Sequence, residues 1–248
     1  METNYKLTIS YDGTGYVGWQ TQPGKPTIQG VIENLLFKVF GEHITLRYPS
    51  RTDAGVHAYG QVASFKCESE YSAERMQKIL NTQLPPDISI LDVKVVGPEF
   101  DARKALRKKY TYRISNAPIR SPFYINRVWW LKYNLNKNDM LEALKLFIGE
   151  KDFRAFMGSG TEVKTTIRNI YAIDIKENGH EMNISFTGNG FLKHMIRNIV
   201  GTVVEVGIGR YGVQDVMDML ESKDRRKAGI TAPAYALYLE EIFYDERE

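Results

Sequence analysis

Along the chain the apolar residues switch between a period of two and a period near 3.6, and the order of those switches limits the possible folds more than any other feature. Tyr5 to Tyr11 alternates Leu7 and Ile9 against polar neighbours, as a strand does, and Asp12-Gly13-Thr14-Gly15 supplies turn chemistry. Thr27 is placed to cap a helix in which Ile28, Val31, Ile32, Leu35, Leu36 and Val39 recur at helical spacing, and Gly41 stops it. Ile44 to Tyr48 and Gln61 to Cys67 return to strand on either side of a loop from Pro49 to Gly60. Ser72 caps a second helix carrying Met76, Ile79 and Leu80, Pro85-Pro86-Asp87 ends it, and Ile88 to Val96 is a further strand. The order is βαββαβ, the split-βαβ or ferredoxin-like arrangement, in which helices cover one face of an antiparallel sheet.

The second half reads as a distorted repeat of that plan. Tyr110 to Ser115 and Arg127 to Tyr133 are strands, and a helix follows through Met140, Leu141, Leu144, Phe147 and Ile148. Strands at about Thr166 to Lys176 and Glu181 to Thr187 precede a helix from about Phe191 to Val206. Its apolar stripe is Ile196, Ile199, Val200 and Val203, which leaves Lys193, His194 and Arg197 on other faces. A short helix, Val213 to Leu220, and a last strand, Leu237 to Phe243, follow. The expected fold class is therefore α+β, with two ferredoxin-like or RRM-like units, residues 1–102 and 103–248, whose sheets lie side by side around a central cleft. The duplication lies in element order only, because no residue-level repeat accompanies it.

Composition narrows the function. With 248 residues, 43% hydrophobic and 25% charged, the chain can bury a real core. Its longest apolar runs fall well short of the roughly 18 residues of a membrane span. The N-terminus enters strand sequence directly, without the pattern of a secretory signal, and the expected location is the cytoplasm. One cysteine, Cys67, and four scattered histidines offer no metal-ligand spacing, so neither a metal nor a cofactor is expected. Cys67 lies in a strand and reads as core. A net charge of +3 permits a polyanionic partner without demanding one. The basic residues are clustered: Arg103, Lys104, Arg107, Lys108, Lys109 and Arg113 are offset only by Asp101, and Lys223, Arg225, Arg226 and Lys227 only by Asp224.

The loop from Pro49 to Gly60 is long for a connection between strands, and loops of that size are often functional. Asp53 two residues before Gly55 is by itself an ordinary turn former. Arg51 beside it can orient a carboxylate, and Gly55 permits close approach of backbone to a ligand.

The string Arg51-Thr52-Asp53-Ala54-Gly55-Val56-His57 resembles the catalytic motif of the tRNA pseudouridine synthase A family. Four more segments resemble the family in the same order. They are Tyr11-Asp12-Gly13 with Gly18-Trp19-Gln20, Lys109-Tyr110-Thr111-Tyr112-Arg113, His194-Met195-Ile196-Arg197-Asn198-Ile199-Val200-Gly201, and Thr231-Ala232-Pro233-Ala234 leading to Leu237. Together they span almost the whole chain. Two positions depart from the pattern: Ser50 stands where the family often has Gly, and Ala236 precedes Leu237 where Gly is usual. Neither departure removes a reactive group.

The resemblance implies conversion of uridine to pseudouridine at positions 38 to 40 of the tRNA anticodon arm, by a homodimer on which tRNA crosses both subunits. It implies that Asp53 is the nucleophile, that Arg197 pairs with it, that Tyr110 stacks on the target base and takes the C5 proton, that Arg51 helps to extrude the nucleotide, and that Leu237 walls the uracil pocket. Arg107, Lys108, Lys193 and His194 are candidate substrate contacts, with the 223–227 cluster as a further source of phosphate contacts. His57 and His194 read first as supports or RNA contacts, not as acid–base groups. One rival is a non-catalytic RNA-binding protein with two RRM-like modules, although Gly60-Gln61-Val62-Ala63-Ser64-Phe65 lacks the basic start and aromatic spacing of such a module. Another is a small-molecule isomerase using Asp53 and Tyr110.

Overall fold

A computed structural model describes residues 2–160 and 162–245; residues 1, 161 and 246–248 lie outside the described residues. The described residues fall into two compact units, one within Met1–Lys108 and Tyr238–Glu248, the other Lys109–Leu237. The last strand thus belongs to the first unit.

The first unit contains β1 (Glu2–Tyr11), α1 (Ile28–Phe40), β2 (His57–Glu68), α2 (Ala73–Gln83), β3 (Ile88–Val96) and, apart from its first residue, β9 (Leu237–Phe243), in the strand order β3-β1-β2-β9. β1 pairs antiparallel with both β2 and β3, while β9 joins β2 in parallel through His57 with Tyr238 and Ala58 with Leu239. Period-two alternation does its expected work: Tyr5, Leu7, Ile9 and Tyr11 share one face of β1 and are buried, as are Ile28, Ile32, Leu35 and Leu36 of α1 and Met76 and Leu80 of α2. The helix caps are those the sequence indicates. Thr27 Oγ1 accepts from Gly30 N, Ser72 Oγ accepts from Arg75 N, and Gly41 ends α1 in the left-handed region at φ 74°. Cys67 is in the core, where burial pushes its thiol up to about 11.

Two expectations for this unit need correction. Residues 44–48 are not a regular strand: Ile44 and Leu46 are buried in alternation, but only Arg47 bridges to β2, opposite Ser64. In addition, β2 begins at His57, so the loop runs only from Pro49 to Val56 and its last motif residue is already strand.

Asp101, just beyond β3, is buried beneath Arg103 at 2.5 Å and Arg47 at 3.6 Å. The hydrogen bonds from Arg103 are the largest influence on it and hold its carboxyl at about 2 against an ordinary 3.8. A depressed acid stabilises the fold above its unfolded value and loses that contribution as pH falls through the folded one. Asp101→Asn should therefore cost about 1–2 kcal/mol at pH 7, and the gap should close between about pH 4 and pH 2. Urea unfolding of both proteins across that range measures it.

The second unit holds most of β4 (Arg107–Ser115), then β5 (Trp129–Trp130), α3 (Lys137–Lys145), β6 (Gly149–Asp152), β7 (Ile167–Asn178), β8 (Glu181–Gly188), α4 (Met195–Gly207) and α5 (Val213–Ser222). Its strand order is β4-β8-β7-β6, with β5 parallel on β4. The strand expected at 127–133 shrinks to Trp129–Trp130; both rings are half-buried, and the Trp130 indole donates to Ala117 O at 2.8 Å. Nothing in the sequence marks β6. Its residues Gly-Glu-Lys-Asp show no apolar alternation, and it exists through its backbone pairing with β7, Gly149–Asp152 against Ile170–Ile167. Among the described residues no helix is long and apolar enough to cross a membrane, and no group of three or more His, Cys, Asp or Glu side chains could hold a metal ion.

Candidate active site

In the first unit the Asp53 loop is shaped by backbone ties. Trp19 N donates to Thr52 O at 3.1 Å, Val56 N to Asp53 O at 3.1 Å, and Gly55 N to Tyr16 O at 3.3 Å. Gly18 makes the first of these possible. It sits at φ 90°, and a Cβ there would stand 2.7 Å from Thr52 O. Side chains complete the hold: Tyr11 Oη and Thr52 Oγ1 are 2.8 Å apart, Gln61 Nε2 donates to Ser50 O at 2.9 Å, and Lys108 Nζ donates to Pro49 O at 2.5 Å. Thr52 and Val56 are buried, Asp53 is half-buried and Arg51 exposed. The chain thus turns its inner residues into the unit and carries the aspartate at the boundary with solvent.

The segment Tyr11–Gln20, singled out for its likeness to the family, is the platform for this loop. Trp19 is fully buried between Tyr11 and Tyr48, with ring centroids 5.9 and 5.3 Å away. His57 serves the same platform. It is 3% exposed, its Nδ1 lies 3.1 Å from Gly13 N and 3.0 Å from Asp12 Oδ1, and its ring stacks on Tyr238 at 4.8 Å. Its place is that of a support for the Asp12–Gly13 turn. Gln61 was missed by sequence reasoning. A fully buried amide in an otherwise apolar strand run is the signal that could have found it, because such a group must spend its hydrogen bonds on neighbouring backbone.

In the second unit, α4 starts at Met195, later than periodicity suggests, because His194 adopts a left-handed conformation at φ 58° directly before it. Lys193 and His194 therefore precede the helix, close to the 158–159 segment. Gly158 N donates to Lys193 O, Lys193 Nζ donates to Ser159 O at 3.2 Å, and a Cβ on Gly158 would stand 2.7 Å from His194 Nδ1. The expected apolar stripe is too narrow a description of α4: every residue from Met195 to Gly207 is buried except Arg197. Arg197 Nε donates to Ala232 O at 2.8 Å, and Ala232 N donates back to Arg197 O at 3.0 Å. Tyr110 is 7% exposed, with its ring edge-on to Phe191 at 5.4 Å, and Leu237 is 6% exposed at the start of β9. Tyr112 Oη donates to Pro233 O at 2.8 Å, and burial pushes that phenol well above its ordinary value.

The basic clusters are less free than their composition suggests. Arg107 lies over the Phe243 ring at 5.2 Å, Arg103 is engaged by Asp101, Lys223 pairs with Asp152 at 3.1 Å, and Arg226 forks onto Asp224 at 2.7 Å. Arg225 makes four hydrogen bonds within its own unit, to Ala228 O, Gly229 O, Asn198 Oδ1 and Thr231 Oγ1. Burial pulls it below the usual arginine value.

Comparison with known proteins gives these features a lineage. The tRNA pseudouridine synthase family matches residues 7–103 and 143–245, which takes in the Asp53 loop, Arg197 and Leu237 but not Tyr110. The tRNA pseudouridine synthase A of Thermoanaerobacter sp. (strain X514) is 44% identical over 242 residues, covering 97% of this chain and 99% of that protein. Clostridium tetani tRNA pseudouridine synthase A 2 is 44% identical over 99% of this chain and 100% of its own, and the Geobacillus sp. (strain WCH70) protein is 42% identical over the same shares. Both the loop that presents Asp53 and the helix that presents Arg197 fall inside the matched residues, and the likeness runs nearly from end to end: the chain belongs to the tRNA pseudouridine synthase family.

Proposed function

We propose that this protein isomerises uridine to pseudouridine at positions 38 to 40 of the tRNA anticodon arm, with Asp53 as its nucleophile. The observation that carries the proposal is the half-buried aspartate on a loop tied through its backbone on both sides, within a segment matched to the family. In the reaction the bond between N1 and the ribose C1′ breaks, the base turns, and C5 bonds to C1′. A proton leaves C5 and one is taken up at N1, so no oxidant, reductant or group donor is consumed. An ionised carboxylate can form a covalent intermediate and divide this rearrangement into two easier steps.

The other roles follow the resemblance. Arg197 is the cation that the resemblance pairs with Asp53, and Tyr110 stacks on the base and takes the C5 proton. Exposed Arg51 displaces the nucleotide, and Leu237 walls the uracil. A base in a paired stem must leave its stack before it can react, at a cost of a few kcal/mol, and contacts from Arg107, Lys108, Lys193 and His194 to the RNA offset that cost. The working form is a homodimer with tRNA crossing both subunits.

The test uses tRNA tritiated at uracil C5. Turnover releases the label, and sequencing of the modified positions locates the product. Release of tritium with product at 38 to 40 is the expected result. Binding without release would replace the proposal with the non-catalytic RNA-binding rival.

A further inference from the structure

Arg225 belongs to a buried polar network that joins α4 to the segment 228–232. Asn198, fully buried on α4, donates through Nδ2 to Phe156 O at 2.7 Å, and its Oδ1 accepts from Thr231 Oγ1 at 2.6 Å and Arg225 Nη2 at 3.0 Å. The Arg225 fork continues to Ala228 O at 3.1 Å, Gly229 O at 2.9 Å and Thr231 Oγ1 at 2.9 Å. Thr202 Oγ1 accepts from Gly229 N at 3.0 Å, and buried Glu205 accepts from Ile230 N at 3.0 Å. The packing leaves no slack: a Cβ on Gly201 would lie 1.8 Å from Ile230 O. At the end of this clamped segment stands Ala232, whose carbonyl receives the Arg197 Nε proton.

A planar fork that holds two carbonyls and two side chains fixes a loop in a way that a single point charge cannot. The Arg197 guanidinium is anchored through Nε to the Ala232 carbonyl, whose position depends on the loop that Arg225 holds. We infer that Arg225 is a positioning residue for Arg197, acting through the 228–232 segment, and that its charge serves this loop instead of an RNA phosphate. The inference rests on the reading that Arg197 serves the reaction at Asp53.

The experiment compares single-turnover rates at saturating enzyme with tRNA affinity at several salt concentrations, for wild type, Arg197→Ala, Arg225→Ala, Arg225→Lys and the double variant Arg197→Ala/Arg225→Ala. A misplacement near 1 Å costs about 10²-fold in rate, and a loss of that order is expected for Arg225→Ala. Arg225→Lys should not restore it, affinity and salt slope should stay at wild-type values, and the double variant should be no slower than Arg197→Ala alone. Weaker binding with a salt slope flattened by about 0.7 to 0.9 units, at an unchanged bound rate, would make Arg225 a phosphate contact and overturn the inference. Rate losses that multiply in the double variant would also overturn it, since Arg225 would then act by another route. If Arg225→Ala does not fold, Thr231→Val removes the hydroxyl between Arg225 and Asn198, and Thr231→Ser restores it. Slow Thr231→Val with normal Thr231→Ser supports the inference, and two wild-type rates defeat it. A wild-type rate in Arg197→Ala would remove the underlying reading. A slow Arg197→Ala beside a normal Arg225→Ala would defeat the inference alone.

Discussion

Asp53→Asn protein is expected to bind tRNA within a few-fold of wild type and to release no tritium above background, a loss beyond about 10⁴-fold. The amide has the size of the carboxylate but cannot attack carbon as an anion. The bonds that shape the loop, from Trp19 N to Thr52 O and from Val56 N to Asp53 O, run through backbone atoms that the substitution leaves in place. Affinity should survive if, as proposed, it comes from phosphate contacts elsewhere. The protein must be checked by mass spectrometry for deamidation, since a trace of restored aspartate would imitate activity. A substantial residual rate in clean protein would remove Asp53 from the mechanism.

Tyr110→Phe is the second large effect. The ring stays edge-on to Phe191 and only the hydroxyl is lost, so folding and tRNA binding should be preserved. If that hydroxyl takes the C5 proton, turnover falls by about 10²- to 10⁴-fold, the range for removal of a general base. Single-turnover tritium release measures this step directly, because the tritium is the hydrogen that leaves C5. Near-normal release would reduce Tyr110 to a stacking surface, and Tyr110→Leu, which removes the ring as well, would then give the large loss.

Local features were legible in the sequence, and features made by distant contacts were not. Thr27, Gly41 and Ser72 mark helix ends because a cap is a bond between near neighbours, and β3 and β9 have the expected ends. The Asp53 loop was legible through its motif, although its ties to Trp19 and Tyr11 needed the fold. Residues 44–48 alternate correctly yet pair only at Arg47, and β6 pairs well without any alternation, because strand identity depends on an available neighbour as much as on side chains. The helix that carries Arg197 reads as one-sided because the segments covering its other faces, at Phe156 and at 228–232, are distant in sequence. Asn198 meets Arg225 across 27 residues and Thr231 across 33. For the same reason Arg225 looked like a surface charge: composition counts a cation without revealing the carbonyls it faces.

The return of β9 to the first unit has a consequence for biosynthesis. That unit is otherwise complete once Lys108 has been made, yet the β2 edge at His57 and Ala58 waits for Tyr238 and Leu239, the partners it finds in β9. At about 5 to 20 residues per second, translation keeps that edge open for many seconds, and His57 lacks the ring it later stacks on throughout that interval. The Asp53 loop ends where this edge begins, so His57, the first residue after it, gains its strand partner only when the far end of the chain arrives. A chain lacking residues 237–243 leaves the β2 edge at His57 and Ala58 unpaired, and an open strand edge is a template for pairing with another chain.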